Sequence, residues 1–185
     1  AFRLSAQDRI REGLEEKPSD PYMPNEYHNP KLSPAYYYTN NAMRKQDGTS
    51  IITVQVNVSK DEKNILGDAA NEPNIAVDPR NGKNMVIGWR QFDNVKSNFR
   101  QAGWAYSSDS GHTWTFPGRI DSGIFRSDPV LDYDKEGNFY YNSLKVSDSA
   151  SDSMGCQVFI SRDAGESLEH GVDARGGEKQ WMSVD

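Results

Sequence analysis

Cysteine is almost absent from this chain: Cys156 is the only one in 185 residues, so no intrachain disulfide can form and no zinc site can rest on paired thiols. It follows Gly155 at the start of an expected strand and reads as a packed thiol. Histidine is nearly as sparse. His28, His112 and His170 stand far apart without ligand spacing, and neither a metal nor a cofactor is expected. No apolar run approaches the roughly 18 residues that a membrane span requires. Positive charge is in the minority, 21 Lys and Arg against 27 Asp and Glu for a net charge of −6, and the basic residues are scattered rather than gathered into a stripe. That speaks against a phosphate-tracking surface, and with it against nucleic acid as a partner. Ala1-Phe2-Arg3 opens the chain without a charged-then-apolar leader, from which we expect that any export signal has been removed or was never present.

What the chain does have is turns and a repeat. With 35% hydrophobic residues, 15 Gly and 9 Pro, the composition fits many short strands better than a helical bundle. Ser107-Ser108-Asp109-Ser110-Gly111-His112-Thr113-Trp114 recurs as Ser161-Arg162-Asp163-Ala164-Gly165-Glu166-Ser167-Leu168, 54 residues later (107 to 161). Both copies follow a strand-like run, Gly103 to Tyr106 and Gln157 to Ile160. An Asp at the head of such a loop can accept backbone N–H groups a few residues on, while the Gly supplies the positive φ of the reversal. Trp114 or Leu168 then tucks apolar bulk beneath the turn. These roles are structural before they are functional.

A second repeat runs in phase with the first. Pro73-Asn74-Ile75-Ala76-Val77-Asp78 is echoed by Pro129-Val130-Leu131-Asp132-Tyr133-Asp134 and again by Gln180 to Asp185. The first two are each followed by a Gly-containing turn and an apolar run, Met85 to Trp89 or Phe139 to Leu144. The unit is strand, turn, strand, loop, strand, repeat turn, short strand, and a period near 50 residues with four strands per unit describes a propeller blade.

Ser107, Asp109, Gly111, Thr113 and Trp114, with Ser161, Asp163 and Gly165 in the second copy, resemble the Asp-box, the bacterial neuraminidase repeat of sialidase-like β-propellers. The resemblance implies an all-β fold of four-stranded antiparallel blades, six in a full ring. It implies a secreted or cell-surface glycoside hydrolase acting on anionic glycans, or else a non-catalytic propeller with a glycan or protein ligand at its top face. Asp-box propellers also serve as intracellular assembly scaffolds. By count the chain holds one blade from about 71 to 120, a second from about 127 to 172 and the first strand of a third, so the propeller region is 71–185. Two blades cannot close a ring. We therefore expect a fragment whose partners include the remaining blades.

The same resemblance implies a site at the end of the ring away from the repeat turns. On this chain the matching positions are Glu72, Arg126 and Asp128 before the inner strands, and Arg90 to Asn94 or Lys145 after the second strands. Sialidases clamp the substrate carboxylate with three arginines, because planar guanidinium groups bind carboxylates in bidentate fashion. They use a Tyr paired with a Glu as nucleophile and an Asp as acid/base. Arg90 is the clamp candidate, and Asp93 and Asp128 are the acid candidates. Where the family carries Arg-Ile-Pro, this chain has Glu72-Pro73-Asn74, and no Tyr and Glu pair falls near Arg90 in the sequence. The residues also admit a plainer account, with Arg90 pairing a nearby carboxylate at a strand end and Asp93 and Asp128 as loop acids.

Before the blades, Ser5 can cap a short helix over Ala6 to Glu16, ended by Pro18. Pro18 to Gly48 is rich in Pro and Tyr, too much so for a sheet or a free linker, and should lie extended along the blades or offer a sugar-stacking surface. Helix and segment make up residues 1–48. Residues 49–70 hold a leading strand, Ile52 to Ser59, apolar at every even position and a candidate to complete a blade. Asn57-Val58-Ser59 is also a glycosylation sequon.

Overall fold

The computed structural model describes residues 37–40, 51–146, 154–178 and 180–185. The expected helix over Ala6 to Glu16 and most of the Pro/Tyr-rich segment lie outside them. Among the described residues there are ten strands and no helix. Two of them, β1 (Tyr37–Asn40) and β2 (Ile51–Val54), form a small antiparallel sheet of their own. The other eight form two four-stranded antiparallel sheets. The first runs β3 (Ala70–Val77), β4 (Met85–Phe92), β5 (Arg100–Ser107), β6 (Thr115–Ile120) in spatial as in chain order. The second runs β7 (Arg126–Tyr133), β8 (Phe139–Val146), β9 (Met154–Ser161), β10 (Val172–Asp173).

Strand alternation dictates how the two sheets meet, since successive side chains of a strand point to opposite faces. Even-numbered Ala76, Val86, Ala102 and Ile120 of the first sheet pack on Leu131, Phe139, Tyr141 and Phe159 of the second. The fit is close. A Cβ at Gly88 would collide with the Tyr141 ring and come within 2.8 Å of Leu131. The Tyr141 hydroxyl donates to the Gly103 carbonyl of the facing sheet at 3.1 Å, and burial pushes its ionisation well above the ordinary range. Trp89, Ala105 and Trp114 lie on the opposite face of the first sheet, packed against Val54 and Val56.

The two repeat turns are built alike. In the first, the Ser107 hydroxyl donates to Asp109 at 2.8 Å and accepts the Gly111 N–H at 2.9 Å, while Asp109 accepts the Thr113 N–H and hydroxyl at 2.9 and 2.7 Å. In the second, Ser161, Asp163, Gly165 and Ser167 repeat each of those four bonds. Ser110 and Gly111 (φ 66° and 80°) and Ala164 and Gly165 (φ 59° and 95°) are consecutive left-handed pairs, so the reversal uses a non-glycine as well as the expected glycine. Trp114 is buried, and its indole N–H donates to the Gly111 carbonyl at 3.0 Å.

Two expectations about the region before residue 70 need correction. Residues 37–40 form a strand although they belong to a segment too rich in proline for a sheet; the four residues themselves, Tyr-Tyr-Thr-Asn, contain no proline and are mostly good strand formers. The leading strand spans Ile51–Val54 rather than running on to Ser59, and among the described residues it pairs with β1. Past Val54 the backbone turns inward. Gln55 donates to Asn64 at 2.9 Å and Asn57 to Asp68 at 3.1 Å, and Val58 is buried.

Candidate functional site

Antiparallel pairing places the starts of β3, β5 and β7 beside the ends of β4 and β8, opposite the repeat turns. A cleft of about 700 Å³ opens there, with Glu72, Arg90, Arg100, Asp128, Gln180 and Trp181 among its lining residues. Both inner strands are distorted at the same point. The β3 register shifts between Asn71 and Asn74, and the β7 register shifts between Ser127 and Val130. Within those bulges Glu72 (φ 52°) and Asp128 (φ 50°), 56 residues apart in the chain (72 to 128), are left-handed although each precedes a proline. A residue before proline is biased toward extended backbone, and a non-glycine at positive φ is uncommon, so the pair of outliers marks this end of the sheets as strained where it carries its carboxylates.

Arg90 reaches back to its neighbour strand, with Nη2 3.0 Å from Glu72 and Nε donating to Asn71 at 2.9 Å. Arg100 stands opposite Phe92 in the register and so falls on the same sheet face as Arg90. Burial, then the charge of Arg100, lowers the proton affinity of Arg90, and Glu72 and Asp128 work the other way. Arg100 Nε is buried and has no hydrogen-bond partner among the described residues. Asp128 takes the Ser127 hydroxyl at 2.6 Å. The cleft thus holds one arginine neutralised by its own carboxylate, a second with an unused donor, and an acid between the two sheets.

Arg90 and Asp128 therefore share the cleft, and Asp93 does not line it. Asp93 accepts from Gln101 at 2.6 Å and lies 3.5 Å from Arg119. Arg126 is completely buried, donating to Asp121 at 2.7 Å and Gln157 at 2.6 Å with its guanidinium 4.8 Å from the Phe159 ring centre. It ties β7 to β9 within the second sheet and to the loop that follows β6. Lys145 pairs with Arg126 in the register and does not line the cleft either. Among the described residues no tyrosine lines the cleft.

Arg100, Gln180 and Trp181 escaped the sequence reading. Arg100 follows a loop and matches no motif, and the echo of the inner strand over Gln180 to Asp185 gave no hint that its first two residues face a cleft. Gln180 Nε2 donates to the Asp128 carbonyl, and the Val184 N–H donates to the Asp132 carboxylate at 2.8 Å. Those bonds hold the segment beside β7, leaving Trp181 90% exposed at the cleft. Among the described residues, no group of three or more His, Cys, Asp or Glu side chains could hold a metal ion.

No family model and no curated protein matches the chain. Among solved structures, the Hadza microbial sialidase Hz136 aligns with 67% of this chain at 12% identity and a TM-score of 0.46. The chain spans 29% of that protein's length.

Proposed function

We propose that the two sheets are blades of a sialidase-like β-propeller in a secreted or cell-surface glycoside hydrolase, and that their shared cleft is part of its site for anionic glycans. The observation that carries this reading is the meeting of Arg90, Arg100 and Asp128 in one cleft, at the end of the sheets opposite two matching Ser-x-Asp-x-Gly turns. Arg100, with its unused donor, takes the ligand's anionic group, and Arg90 stays paired to Glu72 at the wall of the cleft. Asp128, which accepts the Ser127 hydroxyl at 2.6 Å, is the cleft acid we assign to proton transfer. A ring needs more blades than two, and the remaining blades would complete the cleft.

A non-catalytic binding role has its own support. No tyrosine among the described residues lines the cleft, and the buried Tyr141 is committed to the Gly103 carbonyl. Groups that act as a unit lose nearly all activity when one is missing. Residues 1–185 are accordingly expected to bind an anionic oligosaccharide such as a sialyl-lactose saturably, with Arg100→Ala weakening binding about tenfold or more, and to release no aryl group from an aryl sialoside above the buffer rate. Binding indifferent to Arg100→Ala would refute the site. Turnover that vanished with Asp128→Asn would show that the chain hydrolyses unaided and would remove the binding-only alternative.

A further inference from the structure

The cleft has a second unmet demand besides Arg100. Because Gln180 Nε2 donates to the Asp128 backbone carbonyl, the amide is oriented and its Oε1 is the remaining acceptor; that oxygen is buried and has no partner among the described residues. A buried acceptor left unpaired is costly, as is a buried donor. One cleft therefore carries an unpaired cationic donor, Arg100 Nε, and an unpaired neutral acceptor, Gln180 Oε1, and the residue after Gln180 is an indole held almost wholly in solvent.

We propose that Gln180 and Trp181 select the ligand of this cleft: Gln180 Oε1 accepts a hydrogen bond from a hydroxyl or N-acyl N–H beside the anionic group that Arg100 holds, and Trp181 covers the ligand's apolar ring face. The inference rests on the proposed function only in taking the cleft to bind an anion. The two demands together name a chemical class. Sulfate, fully ionised phosphate and simple carboxylates satisfy the guanidinium and leave Gln180 unpaired, whereas a hydroxylated sugar acid brings acceptor and donor on one edge and a C–H face for the indole. A site built to pair a ligand donor rejects the analogue that lacks it, because its own acceptor is then stranded.

The test is titration of the full chain, followed by Trp fluorescence and NMR, with glucuronate and N-acetylneuraminate as sugar acids and cyclohexanecarboxylate as a ring carboxylate without hydroxyls. At least one sugar acid should bind about tenfold more tightly than cyclohexanecarboxylate, and Gln180→Leu should close that gap to about twofold. The tighter of the two sugar acids identifies the source of the group. Equal affinity of all three for the unchanged protein would overturn the proposal, and so would a gap that survives in Gln180→Leu or a loss that is the same for every ligand. The first comparison needs no variant, so a Gln180→Leu chain that folded poorly would not shelter the idea. Failure of the anion premise looks different: Arg100→Ala would then leave the affinity for all three carboxylates unchanged.

Discussion

Asp109 shows how a conspicuous acid can be wholly occupied by folding. Partial burial alone would raise its proton affinity, but the N–H and hydroxyl of Thr113 and the hydroxyl of Ser107 outweigh that and hold it down to about 2. Both oxygens are engaged within the turn itself. Thr113 is exposed, so its donors stranded by Asp109→Ala would reach water, whereas the Ser107 hydroxyl is buried and would lose its acceptor, and the expected cost is about 1 to 3 kcal/mol. Urea unfolding should show that loss, with sugar-acid affinity unchanged in the folded variant. A variant of full stability that no longer binds would mean that the turn is part of the site. This much could be read from Ser107, Asp109 and Gly111 alone, because the turn satisfies its own backbone within eight residues. Arg100 and Gln180 lie 80 residues apart in the chain (100 to 180), and only the packing of sheet on sheet gives them a common cleft.

Strands were legible for the same reason that the turns were. The apolar runs Met85 to Trp89 and Phe139 to Leu144 fall inside β4 and β8, since burial on both faces asks for nearly continuous apolar sequence. The bulges at Glu72 and Asp128 were not legible: an acid before proline reads as an ordinary turn. Nor did the two repeat turns look different, although their surroundings differ sharply. A Cβ on Gly111 would come no closer than 3.4 Å to any neighbour, whereas one on Gly165 would lie 2.5 Å from Val86 Cγ2 and 2.8 Å from Tyr106 Cβ, both in the first sheet. Trp104 of that sheet also donates its indole N–H to the Gly165 carbonyl at 3.1 Å. Left-handed backbone costs Gly111→Ala and Gly165→Ala alike about 1 to 2 kcal/mol, and overpacking between the sheets adds about 1 to 3 kcal/mol to the second only. Chemical denaturation of the two variants should show that difference. Equal losses would mean that the second turn is not seated on the first sheet.

Across the whole molecule the repeat distributes acid sensitivity evenly. Asp78 and Asp134 end the inner strands at equivalent positions, and Asp109 and Asp163 head the repeat turns. In each, desolvation raises the proton affinity, and hydrogen bonds from nearby backbone and side chains more than reverse it, Arg80 and Asn84 for Asp78, Asn138 and Tyr140 for Asp134, Ser167 and Ser161 for Asp163. A carboxyl whose proton affinity is lower in the folded chain contributes stability above its unfolded value near 3.9 and loses it as pH falls through the folded value. For Asp109 that window runs from about 4 down to about 2. Asp68 acts in the opposite sense, because desolvation raises it past what Asn57 and Gln91 restore, so its contribution improves slightly as pH drops toward 4. Two depressed carboxyls belong to each sheet, and the sheets share one core, so both should fail together. Urea midpoints measured from pH 7 downward should hold or rise slightly to about pH 4 and then fall steeply in one transition toward pH 2, and Asp109→Asn with Asp163→Asn should flatten the fall. A decline already under way at pH 6, or two separate transitions, would show that the acid lability belongs to other groups or that the sheets unfold independently.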